Sequence, residues 1–142
     1  MRRFRVRPTR AGTLYFDVRI YDDRRKMLRA LARNDHKLGV RVDWSATDAV
    51  CRSFQFQRFR GRRWRSLPIL GVLFFNRQVL GAGIVAHEMA HAAVQWARRV
   101  GLSGHRVWNR RGTTEWVENE RFAFAVGNLC AQFWTEYYRR RR

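Results

Sequence analysis

Hydrophobic and polar positions alternate at the start of the chain and later fall into helical step. Phe4 and Val6 alternate with Arg3, Arg5 and Arg7, which predicts a short strand with one wet face. Thr13 to Tyr21 is rich in β-branched and aromatic residues and predicts a second strand. Asp22 and Asp23 mark a helix start, and Met27, Leu28, Leu31 and Ala32 follow at helical spacing until about Asn34. Gly39 to Trp44 and Val50 to Phe59 are two further strand candidates, the second with Phe54 and Phe56 alternating with Gln55 and Gln57. Arg60 to Arg65 then reads as an exposed connection. Ile69 to Phe75 is apolar throughout, the mark of a strand buried on both faces, and Asn76-Arg77-Gln78 closes it.

From Gly81 the period changes. Ile84, Val85, Met89, Ala92, Ala93, Trp96 and Ala97 define one helix face, and Gly101 stops it. A polar stretch from Ser103 to Gly112 carries His105 and Trp108. A last helix is predicted from Thr113 to Tyr138, with Glu115 and Glu118 suited to the positive end of its dipole. Strands first and long helices last give an α+β fold: a small mixed or antiparallel sheet backed by two long helices and a shorter one near residues 22 to 34.

Composition narrows the class. At 142 residues the chain is expected to form one domain, residues 1–142, and 46% hydrophobic with 14% aromatic content excludes disorder. The longest apolar run, Leu67 to Phe75, includes Pro68 and Gly71 and falls far short of the roughly 20 residues a membrane helix needs. Arginines interrupt the N-terminus at once, so no secretory signal is expected there. Cys51 and Cys130 are far apart and form neither a disulfide scaffold nor a zinc ribbon, so a reducing, cytoplasmic location is the expectation.

Charge adds a second theme. Lys and Arg total 30 against 11 acids, a net +19, and only Lys26 and Lys37 are lysines. Arginine-rich codon usage explains such a balance. So does a polyanionic partner, because the guanidinium is a planar fork of donors matched to phosphate. Density is highest at Arg58-Phe59-Arg60-Gly61-Arg62-Arg63-Trp64-Arg65 and at Arg139 to Arg142. Interleaved aromatics at the first cluster suit nucleic acid as well as a solvated loop.

The chemistry concentrates in Val85-Ala86-His87-Glu88-Met89-Ala90-His91-Ala92-Ala93. On a helix, His87 and His91 stand one turn apart on one face, about 6 Å along the axis, so both imidazoles can point at one ion. Glu88 is turned about 100° from His87, which suits a proton acceptor beside a metal rather than a ligand. Two histidines satisfied by carbonyls would be the structural alternative. A catalytic zinc requires a third protein ligand. Glu120 is the first candidate, with Ala123 and Gly127 on the same helix face to allow close approach; Glu118 lies on the other side of that helix. His105, fourteen residues after His91, is the second. Zinc suits such donors best, and manganese, iron, cobalt or nickel would fit the same set.

The segment His87 to His91, followed by an acid-bearing helix, resembles the gluzincin branch of zinc metallopeptidases, and Asn119-Glu120 before Phe122-Ala123-Phe124 resembles the small gluzincin-like domains of phages and plasmids. Ala123-Phe124 stand where larger gluzincins carry a Ser-Asp pair. The resemblance implies a zincin-like fold with Zn2+ on His87, His91 and Glu120, and hydrolysis of peptide bonds in a protein or peptide substrate. It also implies Glu88 as the general base and His105, Tyr137 or Tyr138 as oxyanion donor. An extended substrate would lie along the apolar strand Ile69 to Phe75. The HExxH segment with a later loop His105 is also similar to SprT-like proteases, which act on DNA-crosslinked proteins. A basic nucleic-acid-binding protein with a structural zinc is the third reading.

Overall fold

The computed structural model describes residues 1–54, 57–102 and 113–139, the side chains of 113–119 excepted. Four strands, β1 (Arg2–Val6), β2 (Tyr15–Tyr21), β3 (Ala49–Ser53) and β6 (Ile69–Asn76), form one mixed sheet in the order β1-β2-β6-β3. β1 and β2 are antiparallel, β2 and β6 parallel, β6 and β3 antiparallel. A separate hairpin comprises β4 (Gln57–Arg60) and β5 (Arg63–Ser66). The helices are α1 (Arg24–Lys37), α2 (Ala82–Arg99) and α3 (Thr113–Tyr138). The result is a small α+β fold, and no helix among the described residues is long and apolar enough to cross a membrane.

Sheet alternation splits the interior in two. Leu73 and Phe75 of β6 join Phe16, Val18 and Ile20 of β2 in a core with Val85, Met89, Ala92, Ala93 and Trp96 of α2 and Ala125, Leu129 and Phe133 of α3. Val72 and Phe74, one step out of phase, face Met27, Ala30 and Leu31 of α1 on the opposite side. A strand covered by helices on both faces must be apolar at every position, which is the pattern of Ile69 to Phe75. Gly71 is required by proximity: a Cβ there would collide with the Arg52 carbonyl oxygen and lie 2.8 Å from Ser53 Cα on β3. Asp23 caps α1 by accepting the Arg25 N–H at 2.7 Å.

Three local expectations change. Gly39 to Trp44 is not a strand: Gly39 takes φ +67 after α1, and Val40 and Val42 stay exposed with no sheet partner. The long strand expected at Val50 to Phe59 ends at Ser53, and β4 begins at Gln57. The arginine-rich connection is itself a hairpin. Gly61 (φ +58) and Arg62 (φ +65) form a two-residue turn with positive φ at both positions, whose twist matches paired strands, and Phe59 packs on Trp64 across it at 5.4 Å.

Candidate metal centre

α2 presents its chemistry on the flank beside the sheet edge. Glu88 belongs to the buried arc, 6% exposed, while His87 and His91 are exposed next to it. Nε2 of His91 lies 3.1 Å from Nε2 of His87, with the rings 4.7 Å apart and nearly perpendicular. Two nitrogens at 2.0–2.1 Å from one tetrahedral ion would be about 3.3 Å apart. The imidazole pair therefore fits a shared cation, which i, i+4 spacing alone permits but does not guarantee.

Glu88 touches the edge strand. Asn76 N–H donates to Asp48 O and Phe54 N–H to Leu70 O, so the even-numbered positions of β3 bond to β6. The odd positions, Ala49, Cys51 and Ser53, turn their backbone groups to the edge. The Cys51 N–H donates to the Glu88 carboxylate. Burial raises the Glu88 pKa above the ordinary carboxylate value; the two imidazoles and that N–H oppose the shift. Burial and the Glu88 charge push the Cys51 thiol up to about 12, so it stays protonated. Composition gave no hint of this partnership, because Cys51 contributes its backbone.

β3 is an edge strand, at the opposite end of the sheet from β1. The strand Ile69 to Phe75, expected to receive an extended substrate, is internal, hydrogen-bonded to β2 on one side and β3 on the other. Its continuous apolarity is the reason: an edge strand of that composition would expose a hydrophobic ribbon, whereas two neighbours and two helical layers bury it. Beyond Ser53 the edge leads to a cavity of about 370 Å³ lined by Ser53, Phe54, Leu67, Gln95, Arg98 and Arg99. Gln95 continues the His87–His91 stripe by one more turn.

α2 packs over β3 and β6, and α3 packs over β1 on the other side of α2. The C-terminal end of α3 is held near the start of α2, where Arg77 hydrogen-bonds Tyr137 and Arg2 donates to the carbonyls of Glu136 and Arg139. At about 100° per residue, Ala90, Ala93 and Ala97 form the small-residue stripe on one flank of α2, and the imidazoles stand beyond Glu88 on the other. Glu120 is half-buried on α3, some 17 residues and about 25 Å of helix before Tyr137. Among the described residues, no third His, Cys, Asp or Glu joins His87 and His91 in a group that could hold a metal ion. His105, and the side chains of Glu115 and Glu118, lie outside the described residues. Tyr137 stacks on Phe133 at 6.0 Å, and Tyr138 is 72% exposed.

Comparison with known protein families, curated proteins and solved structures returns no match.

Proposed function

We propose that the protein is a zinc-dependent metallopeptidase in which His87 and His91 hold the ion and Glu88 is the general base. The observation that carries this reading is the 3.1 Å approach of the two Nε2 atoms beside a buried carboxylate at the edge of a sheet. A zinc ion held there supplies Lewis-acid polarisation of a carbonyl and a water. Glu88 takes the water's proton and returns it to the departing amine, and its raised pKa suits it to both transfers. The Cys51 N–H holds the carboxylate in place between them.

Among the described residues the outward backbone groups of Ala49 and Ser53 pair with no other strand, and with the Cys51 carbonyl, its N–H being held by Glu88, they would pair with an extended peptide, a general mode of peptide recognition. Such a substrate advances about 3.4 Å per residue and reaches the Arg98/Arg99 cavity about four to five residues from Glu88, ten or eleven helical residues or about 15 Å along α2. Glu120 is the first candidate for third donor and His105 the alternative, the second giving the arrangement that resembles SprT-like proteases.

The test pairs zinc content with cleavage of an unstructured protein substrate. Glu88→Gln is expected to keep the metal and lose activity by at least about 100-fold. Unchanged cleavage in that variant rejects the reading. Glu120→Ala is expected to lose zinc where His105→Ala retains it, and the reverse result makes His105 the donor.

A further inference from the structure

The β4–β5 hairpin lies outside the four-stranded sheet, and every residue of both strands is exposed. Its register pairs Arg58 with Arg65, Phe59 with Trp64, and Arg60 with Arg63. Cross-strand partners share a face and successive residues alternate, so Arg58, Arg60, Arg63 and Arg65 all stand on one face. Phe59 and Trp64, 60% and 67% exposed, stand on the other and hold the strands together. The four arginine Cα atoms occupy a rectangle of about 5 by 7 Å, with Arg62 at the tip.

Like charges placed directly opposite each other weaken a ladder. Among the described residues, no ion pair joins these five arginines to a carboxylate. An anion supplied from outside relieves that repulsion, and one carrying several charges at short spacing fits four guanidinium forks at once. A two-stranded ribbon enters the major groove of B-form DNA, about 12 Å wide, and is excluded from the narrow major groove of duplex RNA. We propose that this hairpin is a duplex-DNA-binding ribbon whose arginine face neutralises backbone phosphates. The proposal stands apart from the chemistry of α2.

The test measures binding of the full chain to a short fluorescein-labelled DNA duplex by anisotropy across a salt series. Arg58, Arg60, Arg63 and Arg65 are changed together to Gln; a charge-matched control changes Arg25, Lys26, Arg29 and Arg33, all exposed on α1. Four phosphate contacts contribute a slope of about −3.6 in log K against log salt. Wild type should therefore lose about 150-fold more affinity than the hairpin variant between about 50 and about 200 mM salt. The α1 variant should keep a slope within about one unit of wild type. Circular dichroism should give both variants the wild-type spectrum and a melting point no lower than wild type's, since the substituted side chains are exposed and the hairpin variant loses a repulsion. Equal loss of slope in both variants overturns the proposal in favour of bulk charge. Absence of wild-type binding at low salt, equal affinity for duplex RNA, or tighter binding of polyglutamate also overturns it.

Discussion

Asp35 ties the edge strand to the far helix, and its removal has a calculable cost. The residue is 3% exposed, and both its oxygens accept hydrogen bonds. Oδ1 accepts from Arg52 Nε at 3.1 Å and Nη2 at 2.9 Å, and Oδ2 accepts from Trp44 Nε1 at 2.7 Å. The Arg52 guanidinium also lies 5.2 Å from the Trp44 ring and 5.1 Å from the Phe54 ring. Hydrogen bonds to a charged group contribute about 1.5–3 kcal/mol each, and the indole bond, like those from Arg52, ends on the carboxylate. The Arg52 side chain keeps 18% of its surface wet, so water recovers part of the loss. Asp35→Ala should then destabilise the protein by about 3 kcal/mol in urea unfolding. Asp35→Asn retains an acceptor for Trp44 and should cost less. In a double-mutant cycle with Arg52→Ala, the coupling should be about 1.5–3 kcal/mol. A loss below about 1 kcal/mol for Asp35→Ala, or a coupling near zero, would show that the buried pair does not stabilise the junction of α1 and β3.

Gly71→Ala forces β3 away from β6, because the new Cβ meets backbone on both Arg52 and Ser53; a loss of about 1–3 kcal/mol is expected, with faster amide exchange at Val50 and Arg52. A wild-type melting point in that variant would refute the close contact. Cys51 gives a pH dependence of definite sign. Its folded pKa of about 12 lies above the ordinary 9.0, so the native state holds a proton that the unfolded chain releases first. The stabilisation is complete below pH 9 and declines by about 1 kcal/mol per pH unit from there towards 12. Cys51→Ala should flatten that decline in thermal melts at rising pH, and parallel curves for the two proteins would contradict the burial of the thiol.

Local periodicity carried much of the architecture. The apolar seven-residue run at Ile69 to Phe75 specified a strand covered on both sides, and β6 has Leu73 and Phe75 against α2 and α3 with Val72 and Phe74 against α1. The i, i+3, i+4 spacing from Ile84 to Ala97 specified α2, and the long pattern after Thr113 specified α3. Each depends on short-range repeats that hold in any tertiary setting. Gly39 to Trp44 misled because strand propensity without a neighbouring strand forms nothing. The arginine cluster masked a hairpin because its signal is one aromatic pair and a Gly-Arg turn with positive φ, which composition does not register.

The sequence by itself determined that His87 and His91 share a helix face with Glu88 beside them, since 3.6 residues per turn leaves no other outcome once the helix forms. Which neighbours that face meets was decided only by the packed fold. Sheet order made β3 an edge and β6 an interior strand, and it set α2 over β3 and β6 with α3 over β1. Both depend on contacts between segments tens of residues apart, which no local period encodes.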